Sequence, residues 1–177
     1  MHEFEKKIVI ALNRHKSKTL DFLSALISSV SLLVFIWIAI AIFLIMRDLL
    51  VGLFVCLGLA IVFTIHFLIS EGIFKWGGKM FSIERLRPYR AYPDEVRAIG
   101  KKFLDASFPS SHMASLVGGL VVLTYFYKAV FPFAIISIII MGWSRLRNGM
   151  HYPSDILAGI TLGIVYGYLA LAILKII

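Results

Sequence analysis

Residues 130–174 read VFPFAIISIIIMGWSRLRNGMHYPSDILAGITLGIVYGYLALAIL: two apolar runs, Val130 to Leu146 and Ile156 to Leu174, flank a short polar island. Each run approaches the roughly 20 residues that a helix needs to cross a bilayer. The same pattern recurs toward the N-terminus, in Met113 to Tyr127, Leu49 to Ile69 and Leu20 to Met46, with Lys128 and the pair Arg47-Asp48 marking turns. The reading is an all-α, polytopic membrane helix bundle of about five transmembrane helices. The first run is 27 residues long, well beyond the roughly 7–15 of a signal-peptide core, so it is expected to remain as a tilted span. The third and fourth runs are short for a bilayer, which is tolerable where helix ends line a protein cavity instead of lipid.

Composition supports this reading. Of the 177 residues, 60% are hydrophobic and 16% charged, too few polar groups to cover a water-facing domain. The formal net charge of +8 makes the parts outside the membrane basic, and lipid headgroups are the nearest phosphate-bearing partners. A single cysteine, Cys56, can form neither an internal disulfide nor a zinc cluster. One domain over 1–177 is expected. Residues 1–18, with Phe4, Ile8 and Leu12 at helical spacing beside five basic residues, read as an amphipathic helix on the membrane surface. Residues 71–109 read as an interfacial loop with Phe74, Trp76, Phe81 and Tyr89 as its aromatics.

Five alternating spans put the N-terminus, the 71–109 loop and the 145–155 island on one side of the bilayer, which gathers three polar clusters there. The first is Lys79 with Arg87 and Pro88; loop cations that merely touch lipid phosphates would look the same. The second, Pro109-Ser110-Ser111-His112, is written as a helix N-terminus. It serves either as a simple cap or as an anion site in which His112 donates a proton. The third holds Ser144, Arg145, His151 and Asp155. It is either an ion pair between Arg145 and Asp155 or a nucleophilic site, in which Asp155 accepts from one ring nitrogen of His151 and leaves the other to attack. Two histidines, two arginines, a lysine and a helix N-terminus on one face are the parts for phosphoryl transfer, with fixed cations in place of a metal. No nucleotide-binding glycine loop and no dense ligand set for a metal occurs, so neither metal nor cofactor is expected.

At these residues the chain resembles the type 2 phosphatidic acid phosphatases, which share their site with the vanadium haloperoxidases. The family's motifs read K-x6-R-P, P-S-G-H and S-R-x5-H-x3-D, and the match runs over about 79–155. Ser144, Arg145, His151 and Asp155 meet the third without a spacing error. The second is met except that Ser111 replaces glycine, and it keeps the backbone amide that the family uses for phosphate. In the first, Lys79 stands one residue too far from Arg87 and Met80 holds the expected position. The lysine role falls to Lys79 by its flexible stem, with Arg85 or Arg90 as alternatives.

The resemblance implies that His151 attacks phosphorus, Asp155 orients it and His112 protonates the departing oxygen. Lys79, Arg87, Arg145, the Ser110 hydroxyl and the Ser111 amide would hold the phosphoryl oxygens. It implies a metal-independent membrane lipid phosphatase or diphosphatase acting through a phosphohistidine. Its substrate would be undecaprenyl diphosphate, phosphatidylglycerol phosphate, phosphatidic acid or lipid A 1-phosphate. A lipid phosphotransferase and a non-enzymatic anion-binding transporter are the alternatives; the partner is the bilayer with its lipid phosphate, not nucleic acid. Fifteen of the 18 basic residues fall on the site side, which favours the cytoplasm. The resemblance to bacterial members favours the extracytoplasmic face of the bacterial inner membrane, and is the more specific of the two. Arg147 reads as a surface arginine, His66 as an interior histidine, and Trp143 and Tyr152 as interfacial anchors.

Overall fold

The computed structural model describes residues 2–80 and 84–177; Phe81 lies outside them. It contains α1 (His2–Asn13), α2 (Lys18–Ile27), α3 (Val30–Arg47), α4 (Leu49–His66), α5 (Pro88–Ala91), α6 (Ser111–Phe126), α7 (Phe131–Arg147) and α8 (Pro153–Ile173). Helix α4 continues as a wider π-type turn over Phe67–Gly77 and a last α-turn at Gly78–Met80. No strand occurs among the described residues. Four helices are long and apolar enough to cross a membrane, α3, the extended α4, α7 with its preceding turn, and α8, while α6 is a shorter apolar helix. The chain is an integral membrane helix bundle.

Two expected boundaries shift. The run Leu20 to Met46 is not one span: it breaks at Ser28 and Ser29, which cap α2 and α3. Serine is favoured there because its hydroxyl replaces a missing backbone partner; Ser29 accepts the Leu32 amide. The second span runs on to Met80 rather than ending at Ile69, so the first ten residues of the expected loop are helical.

Helix α6 packs against α8, α4 and α7 and is the central helix. Its shortness is harmless because most of its surface is covered by protein, from Met113 to Leu123. The contact with α8 is the tightest, and glycine makes it so. A Cβ at Gly159, Gly163 or Gly167 would lie 2.7, 2.7 or 2.5 Å from atoms of α6 or the residue before it. Spaced by four, these three glycines form one bare stripe, the small-residue device by which membrane helices approach closely. The contact brings the two helix N-termini side by side, with the Ser110 amide donating to the Asp155 carbonyl at 3.1 Å.

The polar end of the bundle is closed by the N-terminal segment. Helix α1 turns Glu5, Val9 and Asn13, four apart, into the protein and leaves Phe4 on its outer face. Asn13 is fully buried. Its amide donates to the carbonyls of Arg97 and Arg147, at 2.8 and 2.7 Å, and its oxygen accepts the Arg97 amide at 2.8 Å. Arg147 is likewise no surface arginine. It is buried and bonds the Leu12 and His15 carbonyls and Asp21. Tyr152 is buried against Val9 and Val96 rather than anchored at the interface.

Substituting Gly163 with leucine should lower the unfolding temperature in detergent and abolish any activity, because overpacking costs about 1–3 kcal/mol or more. Gly78→Ala, whose Cβ meets nothing within 4 Å, should leave the melting curve in place.

Candidate active site

Helix α7 ends in a Schellman turn. Gly149 has φ of +68°, its amide donates to Leu146 at 3.0 Å and the Met150 amide to Arg145 at 3.2 Å. A side chain at Gly149 would also strike the Arg97 carbonyl. The turn folds the chain back so that His151, six residues on, returns over Arg145. Pro153 then opens α8, and Asp155 in its first turn accepts the Tyr152 amide at 2.8 Å. The S-R-x5-H-x3-D spacing is thus one C-terminal turn plus one N-terminal cap.

His151 is 1% exposed. Its Nδ1 lies 2.8 Å from the Ser107 carbonyl, an oxygen that can only accept, so Nδ1 carries the proton. Its Nε2 lies 3.3 Å from Arg87 Nη1 and 3.3 Å from Arg145 Nη2, groups that can only donate, so Nε2 is the bare nitrogen. The expected partner, Asp155, stands 3.7 Å from Nδ1, beyond a hydrogen bond. Its carboxylate is engaged by the Tyr152 amide and by Arg85 at 2.7 Å. The tautomer is set by a backbone carbonyl, and Asp155 acts on the ring through helix position and charge. Burial, and then the positive charges of Arg145, Arg87 and Lys75, hold the His151 ring well below the usual imidazole range.

A cavity of about 180 Å³ opens in front of this ring, bounded by Lys75, Arg87, Arg145, His112, Ser111 and Phe103 among others. His112 Nε2 donates to the Ser28 carbonyl at 3.1 Å. Of the expected phosphate-binding residues, Arg87, Arg145 and Ser111 lie on the cavity. Ser110 is fully buried beside it with its hydroxyl unpartnered. The amides of Ser111 and His112 open α6 and have no intrahelical acceptor.

Lys79 is not brought to the site. It is exposed, and the lysine at the cavity is Lys75, one helical turn earlier and 8% exposed. Its Nζ lies 2.8 Å from Asp105 Oδ2, 3.0 Å from Glu71 Oε1 and 2.5 Å from Ser111 Oγ. The physical reason is the helical extension of α4, whose wide π turns carry Lys75 inward on the face that also holds buried Ser70 and Gly78. The i,i+4 pair Glu71–Lys75 was the available sequence signal. The alternatives are also placed elsewhere: Arg85 bridges Glu5 and Asp155, and Arg90 donates to the Leu104 carbonyl.

Two further residues were missed. Asp105 grips Arg87 at 2.8 Å as well as Lys75. Burial pushes its carboxyl up, but Arg87 and Lys75 outweigh this and hold it below the usual carboxylate range. Phe103 sets its ring 5.4 Å from the Arg87 guanidinium carbon, 5.8 Å from that of Arg145 and edge-on to His112. Nothing in their sequence setting distinguishes these two from other loop residues. Glu71 takes the Ser111 hydroxyl in a short hydrogen bond and lies 3.8 Å from His66 Nε2.

Fold and cavity together define an integral membrane protein with a cation-lined chamber at one end of its helices. The chain belongs to the PAP2 superfamily, which it matches over residues 49–176. It is 31% identical over 104 residues to the bacitracin transport permease protein BcrC of Bacillus licheniformis, covering 58% of this chain and 49% of that one. It therefore spans about half the length of that relative. Its fold is similar to that of the PAP2-type phosphatidylglycerolphosphate phosphatase of Bacillus subtilis, with a TM-score of 0.75 at 22% identity over 99% of this chain and 87% of the other. It is also similar to Aquifex aeolicus LpxE, at 0.69 and 21% over 94% and 93%.

Histidine NMR in detergent should find the His151 ring neutral, with its proton on Nδ1, at pH values where an exposed imidazole is already half protonated. Arg145→Gln removes a facing charge and should move that titration upward; a ring that protonates near 6.5 in the parent chain would contradict the geometry.

Proposed function

We propose that this protein is a metal-independent membrane lipid phosphatase or diphosphatase that works through a phosphohistidine on His151. The observation that carries the reading is the bare Nε2 of a buried, tautomer-locked imidazole, facing a cavity lined by three cations and a second histidine. Arg87, Arg145, Lys75 and the first amides of α6 would hold the non-bridging oxygens, so that charge is stabilised without reorganisation. Nε2 attacks phosphorus as the bond to the lipid oxygen breaks, and His112, protonated once the substrate's negative charge stands beside it, gives its proton to that oxygen. Neutral His112 then takes a proton from water, whose oxygen attacks phosphorus as the P–N bond breaks, releasing orthophosphate. Asp155 steadies the imidazolium character of His151 by its charge.

The substrate is a lipid phosphate because the cavity also borders an apolar groove. That groove holds Leu33, Val34, Trp37 and Phe63 together with His112 and Ser111, a path for the lipid tail beside the leaving oxygen. We place the site on the extracytoplasmic face. The opposing charge bias loses weight because six of the fifteen site-side basic residues, Lys6, Lys75, Arg85, Arg87, Arg97 and Arg147, are paired with carboxylates inside the protein. Such residues report folding more than topology.

Purified protein in detergent with EDTA should release orthophosphate from a lipid phosphate or diphosphate, and His151→Ala should remove that activity; an unchanged rate in this variant sinks the assignment. His112→Ala should slow turnover by about 10²–10⁴-fold. Lys75→Met should cost about 10²–10³-fold in kcat, whereas Lys79→Met should stay within about twofold, as exposed charges contribute little.

A further inference from the structure

Behind Phe103 lies a second cavity, of about 260 Å³, that the reaction above does not use. Its walls are the α2–α3 junction from Ser28 to Ser31, the turn at Gly100 and Lys101, and Arg145 and Asn148 at the end of α7. Val30, Phe103 and Arg145 border both this cavity and the chamber at His151. The two are therefore neighbours, separated by two apolar side chains and a guanidinium.

Several polar groups there lack partners. Val30 and Ser31 are the first residues of an 18-residue helix, so their amides have no intrahelical acceptor. The Ser29 hydroxyl is already taken by the Leu32 amide. Arg145, 2% exposed, leaves its Nε unpartnered. Asn148, 1% exposed, donates both amide hydrogens, to the Ser24 carbonyl and the Ser28 hydroxyl, but leaves Oδ1 without a donor. Lys101 stands exposed at the rim, its Nζ 5.7 Å from the Phe103 ring. The lining thus supplies several donors and a positive field, and it holds one buried side-chain oxygen, Asn148 Oδ1, still without a donor.

We propose that this cavity is the exit site for orthophosphate. At neutral pH the product carries both acceptor oxygens for the amides and Arg145 and at least one hydroxyl for Asn148 Oδ1. An esterified second phosphoryl group of a lipid diphosphate, once ionised, has no hydroxyl to give and would leave that oxygen bare. The rims agree. Gly100 and Lys101 are exposed polar-loop residues, whereas the groove on the other side of His112 is bordered by exposed Val34 and by Leu33, Trp37 and Phe63. Lipid then enters and leaves on the apolar side, and phosphate leaves past Phe103 toward water, with Arg145 touching it in both chambers. The proposal rests on the phosphatase reading.

The test is inhibition of the full-length protein by orthophosphate and by vanadate, which mimics the transferring phosphoryl group in the chamber at His151. Ser31 is replaced by aspartate, with Ser31→Asn as the neutral isostere. An acid in a helix first turn favours the helix, so folding is retained and is checked by the melting curve. Ser31→Asp should raise the orthophosphate Ki relative to the vanadate Ki by about tenfold through like-charge repulsion at the second cavity, and Ser31→Asn should not. An unchanged ratio overturns the proposal; a rise in lipid KM with an unchanged ratio overturns it in favour of a headgroup site. If the parent chain cleaves no lipid phosphate, the activity reading fails instead. In that case ³¹P line broadening of orthophosphate, kept in Ser31→Asn and lost in Ser31→Asp, still supports the site, and its absence in both refutes it.

Discussion

Three cations, Lys75, Arg87 and Arg145, converge on one imidazole while only 2–8% exposed, and that concentration of buried positive charge is the constraint from which the rest of the polar end follows. Charges removed from water must be paired or hydrogen-bonded. Arg87 is therefore fixed by Asp105 and by the carbonyls of Asp105 and Met150. Lys75 is held by Asp105 and Glu71. Arg145 has no carboxylate partner among the described residues and instead sets its guanidinium over Phe103 and reaches the bare nitrogen of His151. A neutral ring is the state such neighbours impose, and the Ser107 carbonyl decides which nitrogen keeps the proton.

These charges need a rigid frame, and the frame is made by helix ends. The glycine stripe of α8 lets α6 approach until the Ser110 amide bonds the Asp155 carbonyl, which fixes the His112-bearing N-terminus against the turn that carries His151. The far side is tied by Asn13 and Arg147, and Arg85 joins α1 to the start of α8 through Glu5 and Asp155. Burial pushes the Glu5 carboxyl up, yet the Ser154 amide and hydroxyl and Arg85 together hold it below the ordinary carboxylate range. The N-terminal helix is thus part of the site's support, although its apolar residues read as a membrane-surface helix. Its inward face holds two polar residues out of three, and hydrophobic periodicity cannot register such a face.

What was legible in the sequence is what is local. The spacing from Ser144 to Asp155 encodes a Schellman turn, a proline at the first helical position and a carboxylate cap, all within twelve residues, so it survives as a pattern. The apolar runs gave the spans for the same reason, with errors where a serine pair interrupts one and where helix outlasts hydrophobicity in another. Lys75 was missed because the wide turns after His66 decide which face of the helix it occupies, and apolar spacing does not reveal such turns. Phe103, Asp105 and Ser107 come from an irregular segment whose course is set by the partners it meets. Arg147 and Tyr152 were misjudged because a membrane boundary and a buried loop interface use the same residue types.

The carboxylates divide into two sets by exposure, and the division bears on how the chamber is emptied and filled. Asp155 and Glu5 have side chains 0% and 6% exposed and serve the frame. Asp105 and Glu71, at 38% and 34%, stand at the chamber with Lys75 between them. Asp105 pairs with both Lys75 and Arg87, and Glu71 with Lys75. On the proposed reaction a phosphoryl group brings up to two negative charges and three acceptor oxygens to cations already aimed inward, so it completes an arrangement instead of creating one. Because Asp105 also faces that incoming charge, it opposes retention of the product while preserving the cradle. On that proposed reaction, counter-ions kept beside the cations favour turnover over storage of phosphate.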